Sequence, residues 1–184
     1  MTIVAAVRDG DVIVIGCDSA ASDSNEYSLR KGNPKVWSVE IPFLGPALIG
    51  FAGTFSICQI IRYTFPIPEF DHRTIQEYLV YFQIALQKHL VKIRQTYEPK
   101  EINEYTLLFA AKGQIFTMYP NGDVEEKAED FAAIGDGAQV ALGALGALKL
   151  SSFVSWEKLE IMFNVVKQSR ASVQGQLQFL TVGM

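Results

Sequence analysis

Two apolar runs on either side of Asp9-Gly10-Asp11 constrain this chain more than any other feature. Thr2 to Val7 and Val12 to Cys17 are rich in β-branched residues and are apolar at nearly every position rather than at alternate ones. A strand with one wet face alternates, whereas a strand that is apolar throughout is covered on both faces, so the sheet these runs belong to is an inner layer. Gly and Asp between them tolerate positive φ, which makes the pair a hairpin. With 184 residues, 12 Phe and 7 Tyr, the chain can fill one core, and residues 1–184 are expected to form a single domain. Hydrophobic residues at 49% and charged residues at 20% exclude disordered and fibrous classes.

The rest of the chain supplies covers for that layer. Ser19 to Asn33 reads as a polar connection, Lys35 to Ile41 alternates like a half-buried strand, and Ala47 to Ala52 is a further apolar run that stops at Gly53. Thr54 is placed to cap a helix from Phe55 to Phe65, ended by Pro66-Ile67-Pro68. Ile75, Leu79, Phe82, Leu86, Leu90 and Ile93 recur three or four apart, which predicts a long helix with one buried stripe and one wet face. Tyr105 to Ala111 and Ile115 to Tyr119 form a second hairpin around Lys112-Gly113-Gln114, and Asn121-Gly122-Asp123 turns the chain into a third short run. Ala138 to Leu148 and Trp156 to Val166 read as helices, and Leu177 to Val182 as a closing strand. Two stacked sheets flanked by helix pairs satisfy this order, an α+β class.

Charge and cysteine usage narrow the function. The sum of 16 Lys and Arg against 20 Asp and Glu gives −4, which lacks the basic excess of a nucleic-acid-binding surface. Cys17 and Cys58 have no metal-ligand spacing, only His72 and His89 could complete a site, and the expected state is two buried thiols with no metal. Arg8, Asp9 and Asp11 interrupt the apolar start, so it is not a signal peptide, and no run of 18 apolar residues occurs. A cytoplasmic protein without membrane contact is expected.

Chemistry is best served at the start of the chain. Removal of Met1 exposes an amino group on Thr2, a residue that also carries a hydroxyl, and an α-amine titrates near about 8, close enough to neutrality to take the hydroxyl proton. Attack on a carbonyl further needs a cation to tune the hydroxyl, a carboxylate to orient the cation and a backbone donor for the oxyanion. Asp18 ends the second strand and returns beside residue 2, Lys35 begins the next strand, and Gly50 lies late in an apolar strand, where the lack of a side chain exposes its N–H. Taken singly, these residues also fit a turn cap, a solvated charge and a packing glycine.

Thr2-Ile3-Val4, Gly16-Cys17-Asp18-Ser19, Lys31-Gly32-Asn33-Pro34-Lys35-Val36, Gly50-Phe51-Ala52-Gly53-Thr54 and Ala133-Ile134-Gly135-Asp136-Gly137, in this order, resemble the proteasome β-subunit superfamily, and within it most the HslV-type peptidases. The resemblance implies a four-layer αββα N-terminal-nucleophile fold, removal of Met1 with no long propeptide, Thr2 as nucleophile and its own amine as base. It also implies that Asp18 orients Lys35, that Lys35 tunes the Thr2 hydroxyl and that the Gly50 N–H forms the oxyanion hole. Leu48 and Ala52, flanking Gly50, would then suit a small to medium apolar specificity pocket. No cofactor is implied; a homo-oligomeric ring, polypeptide substrates and an AAA+ unfoldase partner are. The late helices would carry subunit contacts.

Two departures stand out. The family places a serine between two glycines where this chain has Asp136, and a carboxylate there would raise the amine's pKa. Proteasome β subunits also carry an aspartate and a serine near the last strands, whereas no aspartate follows Asp136 here and Ser172 is the nearby serine. A catalytically silent ring or assembly protein, and an amide hydrolase acting on a small molecule, are the competing readings.

Overall fold

The computed structural model describes residues 2–23, 26–29, 35–71, 74–97, 104–170 and 172–183. Its elements begin with β1 (Ile3–Asp9), β2 (Val12–Asp18), β3 (Ala20–Asp23), β4 (Glu26–Leu29), β5 (Val36–Ile41) and β6 (Gly45–Gly53). Helices α1 (Phe55–Thr64) and α2 (Ile75–Tyr97) follow, then β7 (Tyr105–Ala111), β8 (Gln114–Met118), β9 (Val124–Glu126) and β10 (Phe131–Gly135). The chain closes with α3 (Ala138–Leu148), α4 (Ser155–Ser169) and β11 (Leu177–Gly183).

The doubly apolar hairpin is the centre of an antiparallel sheet in the order β10-β1-β2-β11. Its two faces meet different partners, as its sequence requires. Ile3, Ala5, Val7 and Val14 pack with Ala141, Leu145, Leu159, Phe163 and Val166 of α3 and α4. Val4, Ala6, Ile13, Ile15 and Cys17 pack with Val36, Leu48, Ala52, Leu108 and Ala110 of the second sheet, whose order is β5-β6-β7-β8-β9. The far face of that sheet, through Ile49, Phe51, Leu107 and Phe109, is covered by α1 and α2. The molecule is therefore an α+β sandwich of helices, sheet, sheet and helices.

Local chemistry sets the helices. Thr74 and Glu77 exchange backbone and side-chain hydrogen bonds of 3.1 Å at the start of α2, a reciprocal cap that satisfies two otherwise orphaned N–H groups. Tyr78, Leu79, Phe82, Leu86 and Leu90 are buried on its inner stripe, and each large apolar side chain so enclosed contributes about 1.5–3 kcal/mol. The opposite face is exposed, as expected, and carries Val80, Tyr81, Ile84 and Val91 among its polar residues. At α1, Thr54 holds the N-cap position and its carbonyl accepts from Ile57 and Cys58, while its hydroxyl makes no capping bond.

Two strand features depart from the expected order. The polar stretch after Asp18 contains the antiparallel pair β3 and β4, which among the described residues bond only to each other; a polar sequence carries no hydrophobic pattern to announce a strand. Phe131–Gly135 forms β10 at the edge beside β1, a run too short to separate by periodicity from the turn that follows. Among the described residues no helix is long and apolar enough to cross a membrane, and no group of three or more His, Cys, Asp or Glu is placed to hold a metal ion.

Candidate active site

The end of the inner sheet gathers three polar side chains from three separate segments. Thr2 directly precedes β1, Asp18 ends β2, and Lys35 directly precedes β5 on the facing sheet; they are 4%, 1% and 6% exposed. The β1–β2 register pairs Val4 with Cys17, so Asp18 comes level with Ile3, and the Ile3 N–H donates to Asp18 Oδ1 at 3.0 Å. The backbone of Lys35 is fixed by a 2.8 Å bond from Phe51 N–H to its carbonyl. Lys35 Nζ reaches Asp18 Oδ1 at 2.7 Å. The Thr2 hydroxyl sits between them, donating to Asp18 Oδ1 and accepting from Lys35 Nζ.

Buried as they are, the ammonium and carboxylate each offset the desolvation cost of the other. Asp18 Oδ2 is buried without a hydrogen-bond partner among the described residues, which is costly in a low-dielectric setting. A hydroxyl oxygen facing an ammonium is polarised toward its alkoxide, because the cation stabilises negative charge on that oxygen. Cys17, next in sequence to Asp18, takes no part: burial pushes its thiol up to about 12, keeping it protonated, and Cys58 stands at about 12 for the same reason.

The Gly50 N–H does not face Lys35. Gly50 lies in the interior of β6, opposite Val36 on one side and Leu108 on the other. Successive N–H groups of a strand point to opposite sides, and two bonds fix the phase here: Phe51 N–H donates to Lys35 O on the β5 side, and Thr54 N–H donates to Glu104 O on the β7 side. The Gly50 N–H is therefore turned into the β7 ladder, away from Lys35. What Gly50 provides is room, since a Cβ there would come within 2.6 Å of Val4 Cγ1. The N–H on the Lys35 side just past the start of β5 belongs to Gly53, at φ +142°, where a Cβ would meet Glu104 O at 2.1 Å. Leu48 and Ala52 are packed into the inter-sheet core.

Asp136 follows β10, whose register sets Gly135 opposite Ile3. Continued by one residue, the pairing puts Asp136 opposite Thr2, and the Gly135 Cα lies so close that a Cβ would fall 2.3 Å from Thr2 O. Asp136 is exposed, and its Oδ2 accepts a short hydrogen bond from Ser172, which is 4% exposed. The structure thus brings Thr2, Asp18 and Lys35 into contact, sets Asp136 beside them with Ser172, and leaves the Gly50 amide outside. Of the histidines, His89 is bonded at 2.9 Å to Thr64 on the α1–α2 surface, and His72 lies outside the described residues. Which side of β6 an N–H faces depends on strand phase, which is set by the carbonyls its neighbours reach and has no signal in the sequence.

No family model matches the sequence. The ATP-dependent protease subunit HslV of Caldicellulosiruptor saccharolyticus is 27% identical over 154 residues, spanning 80% of this chain and 78% of that protein. The structure of Thiobacillus denitrificans BPH in complex with epoxomicin superposes with a TM-score of 0.77 at 16% identity, over 98% of both chains. The fold is that of the proteasome-like N-terminal-nucleophile proteins. Anbu (ancestral β-subunit) from Yersinia bercovieri shares it with a TM-score of 0.71 at 15% identity, over 98% of this chain and 81% of that one. The distant HslV likeness in sequence and these likenesses in shape together support a place in the proteasome-like superfamily.

Proposed function

We propose that this chain is a threonine-type peptidase subunit. The observation that carries the reading is the Thr2 hydroxyl held between Lys35 Nζ and Asp18 Oδ1 in a buried site. With Met1 removed, the Thr2 α-amine takes the hydroxyl proton as Thr2 Oγ1 attacks a peptide carbonyl carbon, and the charge developing on the carbonyl oxygen meets the Gly53 N–H, which we assign the role first given to Gly50. The tetrahedral species collapses to an ester on Thr2 as the protonated α-amine gives its proton to the departing amine of the substrate. Water, deprotonated by the same α-amine, then hydrolyses the ester and frees Thr2. Asp18 orients Lys35 throughout, and the cycle uses no cofactor.

Assembly belongs to the same proposal. Leu150 is 96% exposed, and Phe153, Val154 and Trp156 beside it are also exposed, an apolar surface of the kind that subunit contacts cover. A homo-oligomeric ring in the cytoplasm, receiving polypeptides from an AAA+ unfoldase, accords with the relation to a subunit of an ATP-dependent protease.

A second reading, a silent ring or assembly protein, is favoured by Asp136 in place of serine and by the lack of any later aspartate. Intact mass before and after exposure to a peptide epoxyketone separates the two. A mass lacking methionine that gains one inhibitor, with the gain lost in Thr2→Ala, supports the peptidase. Retained Met1 with no adduct sinks it.

A further inference from the structure

We infer that Asp136 and Ser172 form a positioning pair that holds the freed Thr2 α-amine as an ammonium and thereby sets the pH at which the site works. This rests on the peptidase reading for the removal of Met1 and for its consequence for rate; the ion pair itself requires no turnover.

The geometry comes from three observations. First, the β1–β10 ladder ends at Ile3 opposite Gly135, so the next pair is Thr2 and Asp136. Directly opposed residues have Cα atoms about 4.5–5.5 Å apart, a span that an aspartate side chain and a chain-terminal nitrogen close. Secondly, Gly135 holds φ at +99° with the Thr2 carbonyl pressed against it, so the Asp136 backbone cannot draw back from Thr2 without breaking the end of the ladder. Thirdly, the buried Ser172 hydroxyl donates to Asp136 Oδ2. That bond restrains the carboxylate and leaves Oδ1 as the acceptor for a second donor.

The charged groups facing the amine, among the described residues, are Asp18 from β2, Lys35 ahead of β5, and Asp136 after β10. Asp18 and Lys35 are already committed to each other at 2.7 Å, so their opposed charges largely cancel at the nitrogen. Asp136 has no cationic partner among the recorded ion pairs of the described residues, and it supplies the uncompensated negative charge. A carboxylate at this range stabilises the ammonium, and the neutral amine needed as base then appears only at higher pH. The chain thus exchanges a hydroxyl beside its nucleophile for a carboxylate and supplies the hydroxyl from the segment ahead of β11.

The test is titration of the α-amine by pH-dependent competitive labelling, with the N-terminal peptide read by mass spectrometry, on the assembled protein lacking Met1. Asp136→Asn is expected to lower the midpoint by about one pH unit, with the ascending limb of kcat/KM moving down by the same amount. Because Asp136 is exposed, raising the salt from 0.05 to about 1 M, which shortens the screening length to about 3 Å, should lower the midpoint in the unaltered protein as well, a measurement that stands if the variant folds poorly. Coincident titration curves for Asp136→Asn and the unaltered chain, or a midpoint in the unaltered chain that salt does not move, overturn the pair. Absence of an epoxyketone adduct overturns the peptidase reading instead, and the labelling midpoint still decides the ion pair.

Discussion

Thr2 has two neighbourhoods of opposite character. On one side Asp18 and Lys35 are 1% and 6% exposed, locked to the hydroxyl and to each other; on the other, Asp136 is exposed and held by a single serine. A charge in the buried group is paid for by its partner, and removing one member strands the other. A charge at the rim is partly screened by water, and removing it alters equilibrium positions rather than integrity. The site therefore keeps what must be rigid inside and what tunes it outside.

The sharpest way to break that contrast is Lys35→Met. It leaves Asp18 as an unpaired buried carboxylate, and about 3–5 kcal/mol of stability should be lost in denaturant unfolding, together with about 10³-fold or more of kcat/KM on a peptide substrate. Asp136→Asn, in contrast, should cost only about 1 kcal/mol near neutral pH, the equivalent of the one-unit shift of the amine. Equal destabilisation by the two variants would erase the distinction between the neighbourhoods.

Gly50 and Gly53 of β6 sharpen it next. Gly53→Ala forces a side chain into Glu104 O at φ +142° and displaces the N–H to which we assign the oxyanion, with an expected loss of about 10²-fold in kcat. Gly50→Ala presses on Val4 in the inter-sheet core and should cost about 1–3 kcal/mol in stability, with kcat held within a few-fold. The reverse pattern would return the oxyanion role to Gly50.

A smaller effect follows from the cysteines. Burial pushes the Cys17 and Cys58 thiols up to about 12, against 9.0 in the unfolded chain. Between these values the unfolded state releases protons that the folded state retains, so stability is intact below about pH 9 and falls as pH rises toward 12. Urea midpoints from pH 8 to 10 check the sign; replacing both cysteines by alanine should flatten the slope. Least of all, Arg8→Ala, which removes an exposed ion pair with Asp130, should change stability by under about 1 kcal/mol.

The layers of this molecule are legible in its first 17 residues, because a run apolar at every position leaves no face for water, and both faces of β1 and β2 are indeed covered. The inner stripe of α2 is equally plain. Its outer valines and tyrosine are not, since a residue left exposed in one chain carries no internal periodicity that announces it. Thr2, Asp18 and Lys35 were nameable because each sits at a strand end, and strand ends follow from hydrophobic pattern. The direction of the Gly50 N–H was not, because strand phase decides which side of a strand an N–H faces. Nor was the Ser172 contact, which joins positions 36 apart through a turn and the whole of α3 and α4.

The place of β1 in the middle of its sheet, between β2 and β10, bears on how such a protein is made. β1 pairs on one side with β2, its immediate successor, but on the other with residues 131–135, and the lysine that touches Thr2 lies between these two partners in sequence. Until β10 docks, one edge of β1 stays open, so the surroundings of Thr2 are completed by a strand from the far half of the sequence. Folding of this sheet thus waits on a long-range contact, which is slower to form than the hairpin it completes.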